Sequence, residues 1–415
     1  MQIFTTKMVI TNKSGVSHSR SPLGDFFIII KGDFNMKNVS LRSCNSYKYE
    51  EVKSQVEKLI NDLGGLEEYI KRDSKVFIKL NLVIKKKPDE VATTHPMVLK
   101  VIAEKLLELG CKVIVGDSPG GPYTKSSLKG VYKTCGIEEV CEELGIELNY
   151  DISEVKVENP NGKILKYMTV IKPIVDADHV INICKLKTHA MATFTGGVKN
   201  LFGVIPGVSK AEYHFKMPKV VDFTEALVDI CSYVSPSLTI MDGVIGMEGE
   251  GPTAGVPRKI GVLLGSESPY AIDVVACNII NLDPNKVPTV QRCVEREFIE
   301  KDFSDVCVLG EKVEDKVIKD FKIPSNRSIS FLRGIVPKSI EIFVNKKLAG
   351  KPVINYKECV KCGECSKVCP PKVISMENKG PVIDLDHCIR CFCCHELCPK
   401  KAVDLKRPFV FRFLK

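Results

Sequence analysis

The residues best suited to chemistry are cysteines that repeat near the C-terminus. Residues 359–370 and 388–399 both follow the pattern C-x2-C-x2-C-x3-C-P. Bacterial ferredoxins with two clusters have this spacing, and the fourth cysteine of each motif ligates the other cluster. We therefore expect two [4Fe-4S] clusters, one held by Cys359, Cys362, Cys365 and Cys398 and the other by Cys388, Cys391, Cys394 and Cys369.

Zinc sites and a disulfide framework are the alternatives for so many cysteines. Two complete copies of the motif, each with a proline after its fourth cysteine, favour iron–sulfur clusters over both. Cys393 is out of register with these spacings, and we interpret it as a packed or spare thiol. The nine cysteines before residue 310 have no paired spacing. Free cysteines of this kind indicate a reducing compartment, so we expect a cytoplasmic protein.

Length and composition indicate an ordinary globular protein of two or three domains. The chain has 415 residues, of which 44% are hydrophobic and 27% charged. It contains no apolar run of the roughly 18 residues that a membrane span needs, and no secretory signal pattern. The net charge of +9 is spread along the chain. This distribution slightly favours anionic substrates or acidic partners and does not indicate nucleic-acid binding.

Strands and helices alternate through most of the chain. Apolar periodicity predicts strands at residues 39–41, 75–80, 111–116, 180–184, 238–241, 260–264 and 306–309. It predicts helices at residues 47–63, 96–109, 137–144, 219–234 and 271–281. This alternation predicts an α/β fold with a mainly parallel sheet and helices on both faces.

The same pattern divides the chain into segments. Residues 1–36 contain only the short apolar run 26–30, and we expect this N-terminal extension to lie outside the core. An α/β domain follows at 37–310, then a connector at 311–352 and a small α+β ferredoxin-like domain at 353–405. In the tail, 406–415, Phe409, Phe411 and Phe413 alternate like a strand that packs on the protein or docks a partner.

Polar residues follow several of the predicted strands. Ligands of open parallel sheets bind beyond the carboxyl ends of the strands. Residues 185–203 supply lysine, histidine, asparagine and paired glycines, a set that can cradle an anion. Neither a Walker A loop nor a G-x-G-x-x-G fingerprint is present. The predicted anion site comprises Lys79, Asn81, His95, Asp117, Lys185, Lys187, His189, Gly196, Gly197 and Lys199.

Each of these residues also has a simpler interpretation. The lysines are equally compatible with a solvated basic loop, and His189 and His214 with ordinary polar residues. Glu248 and Glu250 lie in a glycine-rich segment where surface charge is common. The functional interpretation is favoured because four post-strand loops all carry polar and glycine residues.

Several ordered motifs resemble one known family. They include Thr94-His95-Pro96, Lys185-Leu-Lys187-Thr188-His189 and Gly196-Gly197-Val-Lys199-Asn200-Leu-Phe-Gly203. Together with Lys79-Leu-Asn81-Leu, residues 115–120 and residues 242–252, they resemble the DUF362 family over roughly residues 37–310. That resemblance implies an iron–sulfur protein, often fused to a ferredoxin module, and implies no settled reaction. It also implies a start near Met36.

Two functions are consistent with these features. The first is a ferredoxin-coupled oxidoreductase that relays low-potential electrons to a small anionic substrate or cofactor in the α/β cleft. The second is a non-catalytic electron carrier or scaffold that docks a redox partner protein. Post-strand loops that converge with a cluster on one cleft would favour the enzyme, and an exposed apolar patch would favour docking.

Overall fold

A computed structural model of the chain describes strands 16–20 and 26–30 and residues 36–207, 209–324 and 350–406. Its strands are β1 Val16–Arg20, β2 Phe26–Ile30, β3 Lys37–Ser43, β4 Lys75–Lys79, β5 Lys112–Gly116, β6 Glu147–Leu148, β7 Glu154–Glu158, β8 Tyr167–Ile171, β9 His179–His189, β10 Thr193–Thr195, β11 Leu238–Glu248, β12 Val256–Ser266, β13 Val306–Gly310, β14 Lys351–Ile354, β15 Ile374–Glu377, β16 Gly380–Ile383 and β17 Val403–Lys406. The α-helices are α1 Tyr49–Asp62, α2 Pro96–Glu108, α3 Lys125–Thr134, α4 Ile137–Leu144, α5 Lys172–Asp176, α6 Gly197–Asn200, α7 Ser209–Lys216, α8 Val220–Val234, α9 Pro269–Ile279, α10 Pro288–Glu295, α11 Glu364–Lys367 and α12 Cys393–Glu396.

A nine-stranded sheet forms the centre of the α/β domain. Its strand order is β13-β3-β12-β11-β9-β4-β5-β6, and the short strand β10 pairs with β9. Strands β11, β9, β4, β5 and β6 run parallel, whereas β12 is antiparallel to both of its neighbours. The sheet is therefore mainly parallel, as predicted, and the carboxyl ends of β4, β5, β9 and β11 meet at one edge.

Both faces of this sheet are buried, because alternate residues of its strands enter two separate cores. Ile183 of β9 packs in the core that includes α1 and α2. Its neighbour Cys184 points the other way, into the core that includes α9. A strand covered on both faces favours apolar residues at consecutive positions, which explains the continuous hydrophobic runs in the sequence.

Strand β9 extends beyond its predicted end at residue 184. It continues through Lys185, Leu186, Lys187, Thr188 and His189, all of them buried. We expected these residues to form a loop because of their polarity, and this expectation was wrong. The pleat places Lys185, Lys187 and His189 on the same face as Ile183, so one face of the strand changes from apolar to basic at its carboxyl end.

The C-terminal domain is built from two small antiparallel sheets around its cysteines. Strand β14 pairs with β17, and β15 pairs with β16. The short helices α11 and α12 each begin inside a cysteine motif. This is the α+β arrangement predicted for the domain.

The C-terminal domain packs on the carboxyl edge of the large sheet. The hydroxyl of Thr253 donates to the carbonyl of Glu396 at 2.7 Å, and Lys86 Nζ donates to the carbonyl of Pro399 at 3.3 Å. Gly120 packs closely against Leu397 of the C-terminal domain. A Cβ atom at position 120 would lie 2.4 Å from Leu397 Cδ2, so a larger residue would not fit there. The loops that follow the strands therefore face the cysteine motifs.

Several elements are separate from the central sheet or differ from the predicted elements. Strands β1 and β2 pair with each other and form a two-stranded sheet separate from the central one. Helices α3, α7 and α10 and the β7–β8 hairpin were absent from the prediction. The predictions for residues 325–349 of the connector and 407–415 of the tail fall outside the described residues.

Candidate functional site

The eight motif cysteines surround two small cavities in the C-terminal domain. One cavity is lined by Cys359, Cys362, Cys365 and Cys398, and the other by Cys369, Cys388, Cys391 and Cys394. In each set, three cysteines come from one motif and the fourth from the other motif. These are the two sets that the ferredoxin spacing predicts.

The two cysteine sets surround cavities, and backbone amides contact some of their sulfurs. Among the described residues, no three His, Cys, Asp or Glu side chains come close enough to bind one metal ion. Backbone amides also point at the sulfurs: Arg390 N–H donates to Cys388 Sγ at 3.4 Å and Ala402 N–H to Cys398 Sγ at 3.2 Å. Such hydrogen bonds stabilise thiolates, the form that ligates iron.

A larger cavity of about 660 Å³ lies between the two domains. One wall of the cavity belongs to the α/β domain. It includes Asn81 after β4, Asp117 after β5 and Pro252 after β11, together with Lys199 from the segment 187–203. Its other wall comes from the cysteine motifs and includes Cys369, Cys393 and Glu396. This volume is in the usual range for a small-molecule site. The predicted convergence of post-strand loops with a cysteine motif is therefore present.

The β9–β10 hairpin supplies three polar side chains to this cavity. Thr195 lies directly opposite Lys187, and Thr193 opposite His189, in the antiparallel register. Residues two apart in a strand share a face, so Lys187, His189 and Thr195 all project to the same side. All three are buried and line the cavity.

Lys199 is the buried cation most open to a ligand. It lies in α6, its side chain lines the cavity, and its Nζ makes no hydrogen bond or ion pair with the described residues. The ammonium stands 5.3 Å from the ring centroid of Phe202 and 6.0 Å from that of Phe223. Burial lowers the pKa of Lys199, whereas the nearby carboxylate of Glu396 raises it.

His189 presents an N–H group to the cavity. Its Nδ1 accepts hydrogen bonds from the backbone amides of Met191 at 3.1 Å and Ala192 at 3.2 Å. A neutral ring whose Nδ1 accepts must carry its proton on Nε2. Burial lowers the pKa of His189 well below its usual value, so the ring is neutral and Nε2 is a donor. That atom is buried without a hydrogen-bond partner among the described residues.

Two further cavity residues have buried polar atoms that lack partners within the described chain. They are Thr195 Oγ1 and His214 Nδ1. His214 stacks on Phe223 with ring centroids 4.2 Å apart, and burial lowers its pKa to about 3. Buried polar groups are nearly always hydrogen-bonded in native proteins, so their concentration in one cavity indicates a ligand site.

Two more of the lysines that line the cavity, Lys187 and Lys210, are held by oxygen atoms of the protein. Lys187 Nζ donates to Asn81 Oδ1 at 2.7 Å and to the carbonyl of Ala92 at 2.6 Å. Lys210 Nζ donates to the carbonyl of Ser118. Burial lowers the pKa of both lysines to about 7. Their charge is therefore sensitive to an anion nearby.

The predicted residues Lys79 and Asp117 form a buried ion pair beside the cavity. Lys79 Nζ lies 2.7 Å from Asp117 Oδ1 and also donates to the carbonyls of Leu80 and Asn200. Asp117 lines the cavity and Lys79 does not. Lys79 thus neutralises Asp117 and has its donors occupied.

Lys185 and His95 belong to a separate polar cluster with Tyr47 and Asp242. Lys185 Nζ lies 2.7 Å from Asp242 Oδ2 and donates to the hydroxyl of Tyr47 at 2.7 Å. The rings of His95 and Tyr47 are stacked with centroids 3.5 Å apart. Burial lowers the pKa of His95 to about 4. Neither predicted residue lines the cavity.

The paired glycines bind an internal carboxylate. The amides of Gly197 and Val198 donate to Asp273 at 2.6 and 3.2 Å. A Cβ atom on Gly196 would lie 2.0 Å from Asp273 Oδ1, so this position has no room for a side chain. The backbone cradle that the sequence suggested is therefore occupied by Asp273 and is unavailable to a ligand.

The cavity also contains residues that the sequence analysis did not select. They are Thr195, Lys210, His214 and Glu396. The position of Thr195 follows from the β9–β10 register, so its place in the cavity could have been predicted from the full length of β9. No sequence feature pointed to Glu396, because only the packing of the two domains brings its side chain to the cavity.

Two family models match the chain. Residues 76–278 match a domain of unknown function, DUF362, and residues 351–399 match a 4Fe-4S dicluster domain. The second match supports iron–sulfur binding by the cysteine motifs. No helix in the described part of the chain has the length and apolar character needed to cross a membrane.

A curated relative and two solved structures are also similar. The thylakoid-associated protein sll1697 of Synechocystis sp. is 35% identical over 262 residues, which cover 61% of this chain and 78% of the relative. The lactate racemase apoprotein of Thermoanaerobacterium thermosaccharolyticum aligns with a TM-score of 0.38 and 14% identity, covering 61% of this chain and 59% of the racemase. A Thermotoga maritima protein aligns with a TM-score of 0.32 and 15% identity, covering 55% of this chain and 57% of that protein. The chain thus spans less than two thirds of either solved structure.

Proposed function

The chain belongs to the DUF362 family and carries a 4Fe-4S dicluster domain, and on this basis we propose that it is an oxidoreductase that reduces a small anionic substrate with electrons from two [4Fe-4S] clusters. One cluster would be held by the set Cys359, Cys362, Cys365 and Cys398, and the other by Cys369, Cys388, Cys391 and Cys394. When bound, such clusters supply single electrons.

The position of Cys369 carries this proposal. Cys369 lines the cavity of the second cysteine set and also lines the large interdomain cavity. A molecule in the large cavity would therefore be separated from the cluster site by little more than a cysteine side chain. A protein that only carried electrons would have no need for a cavity of about 660 Å³ with buried polar donors at this point.

The residues of the cavity have the properties required to bind and orient an anion. Lys199 supplies a positive charge with free donors, and His189 and Thr195 supply uncharged donors. Lys187 adds a second positive charge when it is protonated, and its Nζ donates a hydrogen bond to Asn81 Oδ1. His189, which is neutral with its proton on Nε2, would donate a hydrogen bond to the anion and would not supply a proton.

Reoxidation of the clusters tests the function. The anaerobic protein is reduced, freed of excess reductant and mixed with candidate anionic acceptors while its visible absorption is followed. We expect one class of acceptor to reoxidise the clusters, and we expect the rate to fall about tenfold or more in Lys199→Met. Lys172→Gln is the matched control, because Lys172 is partly exposed, pairs with Asp176 and lies outside the cavity. Equal rates in all three proteins would contradict the proposal.

A second candidate is a non-catalytic carrier that docks a redox partner protein. The observation in its favour is a group of exposed apolar side chains in the C-terminal domain, Tyr356, Val360, Met376 and Val382. Val360 also lines the cavity of the first cysteine set, where electrons would enter. The two candidates differ in the acceptor experiment, because a carrier needs no residue of the interdomain cavity.

The location of the protein is part of the same proposal. Cluster ligation and the free cysteines of the α/β domain favour the cytoplasm. The relative's association with thylakoids suggests a membrane surface as the alternative site. Fractionation of native cell extracts distinguishes the two.

A further inference from the structure

The unpartnered donors of the interdomain cavity come from one part of its wall, the β9–β10 hairpin and α6. Lys199 Nζ, His189 Nε2 and Thr195 Oγ1 have no hydrogen-bond partner among the described residues, and all three side chains are more than nine-tenths buried. All three groups can donate, which matches the oxygen atoms of an anion. The β9–β10 register and the start of α6 hold the three together.

The charge at this part of the wall fits a singly charged anion. Lys199 contributes one positive charge; burial lowers the pKa of Lys187 and of Lys210 to about 7, so each contributes about half a charge near neutral pH, and Glu396 opposes them with one negative charge. Asp117 is neutralised by Lys79. A phosphate dianion would lie close to the carboxylate of Glu396, whereas a carboxylate monoanion balances the remaining charge. The charge balance therefore favours a carboxylate.

The remainder of the cavity wall is largely apolar. Val83, Phe202, Phe215, Val368 and Leu397 line it. At about 660 Å³, the cavity is much larger than a carboxylate group alone requires. A ligand that filled it would need an apolar body, and burial of that body would contribute most of its affinity.

Building on the proposed function, we infer that the substrate is a carboxylic acid with an apolar body, whose carboxylate binds Lys199, His189 and Thr195. The apolar body then lies along Phe202 and towards Leu397 of the C-terminal domain. The carboxylate fixes the orientation of the molecule relative to Cys369.

Calorimetry on the anaerobic, cluster-loaded protein tests this inference, with 6-fluoro-2-naphthoate as the probe. The neutral 6-fluoro-2-naphthamide has the same body, and acetate has the same head group. We expect the naphthoate to bind at least tenfold more tightly than either compound, since charge-assisted hydrogen bonds and apolar burial both contribute. Equal affinity for the amide, tighter binding of inorganic phosphate, or no binding of the naphthoate would overturn the inference.

Three variants separate binding from folding. Lys199→Met should weaken the naphthoate about tenfold or more, and Lys172→Gln should leave its affinity unchanged. Thr195→Val keeps the side-chain shape, so it should weaken the naphthoate and raise the melting temperature of the ligand-free protein. An unchanged affinity in both Lys199→Met and Thr195→Val would overturn the inference. Naphthoate binding without any acceptor-driven reoxidation would contradict the proposed function and leave this inference intact.

Discussion

The carboxylate Oε2 of Glu396 lies 3.7 Å from Nε2 of His189. Glu396 belongs to α12, inside the second cysteine motif, and His189 ends β9 in the α/β domain. This contact lies between the carboxyl end of β9 and the C-terminal domain. It also places the carboxylate of Glu396 near Lys199. The cavity is therefore a product of both domains.

The first prediction concerns this carboxylate. Glu396→Gln keeps the size of the side chain and removes its negative charge, so it should strengthen binding of 6-fluoro-2-naphthoate several-fold through reduced repulsion. Isothermal titration calorimetry measures the change. A weaker affinity in Glu396→Gln would mean that the carboxylate binds the ligand itself or supports the fold of the cavity.

Cross-ligation between the cysteine motifs gives the second prediction. Cys398→Ser should disturb the cluster of Cys359, Cys362 and Cys365, because Cys398 lines their cavity. Electron paramagnetic resonance of the reduced protein should show loss or alteration of that cluster and retention of the other. Loss of the cluster on the Cys388 side alone would contradict the assignment.

The spare thiol supplies a matched control for that experiment. Cys393 is buried next to Cys394 but lines neither cysteine cavity. Cys393→Ser should therefore retain both clusters, whereas Cys394→Ser should lose one. Iron analysis near eight per chain for Cys393→Ser is the expected result.

The third prediction is a pH dependence of anion binding. Burial lowers the pKa of Lys187 to about 7; Glu396 and Asp117 oppose this effect, and Lys199 and Lys185 add to it. Below that pH Lys187 is charged and attracts an anion, and above it the charge is lost. The affinity for the naphthoate should therefore fall as the pH rises through 7. Lys187→Met should reduce the slope of this profile between pH 6 and 8, with the remaining slope due to Lys210, and an unchanged slope in that variant would assign the titration to another group.

The unpartnered hydroxyl of Thr195 gives the fourth prediction. A buried hydroxyl without a partner costs about 1–3 kcal/mol, so Thr195→Val should increase the free energy of unfolding by an amount of that order. Chemical denaturation of the ligand-free protein measures it. A clear loss of stability would show that the hydroxyl has a structural hydrogen bond instead.

The N-terminal segment gives the fifth prediction. Within the described part of the chain, strands β1 and β2 pair only with each other, so a chain that begins at Met36 should fold and hold its clusters like the full chain. Its melting temperature should lie within a few degrees of the full chain's. A larger decrease would mean that residues 1–35 stabilise the core.

The sequence was most informative where one physical signal dominated. Helix α4 was predicted at its observed bounds, because apolar residues at helical spacing end at Gly145, whose φ of 64° suits a glycine. The extension of β9 was missed because Lys185 and Lys187 look solvated when local polarity alone is considered. Their burial depends on acceptors far away in the chain, Asp242 for Lys185 and Asn81 for Lys187.

The candidate site was predicted in part for the same reason. Lys187, His189 and Lys199 line one cavity because they lie at or beyond the carboxyl end of a parallel strand, a rule that applies without tertiary information. The partner of the paired glycines could not be predicted, since Asp273 lies 76 residues beyond Gly197. Glu396 and Cys369 enter the site only through domain packing.

The proximity of the cavity to the second cluster is the central claim, and fluorine relaxation of bound 6-fluoro-2-naphthoate tests it most directly. Reduction makes the clusters paramagnetic, so the ¹⁹F relaxation rate of the probe should rise sharply on reduction of the anaerobic protein. The rise should be absent in Lys199→Met, which binds the probe poorly, and retained in Lys172→Gln. A probe that is bound, by calorimetry, but relaxes at the same rate in the oxidised and reduced protein would contradict the claim.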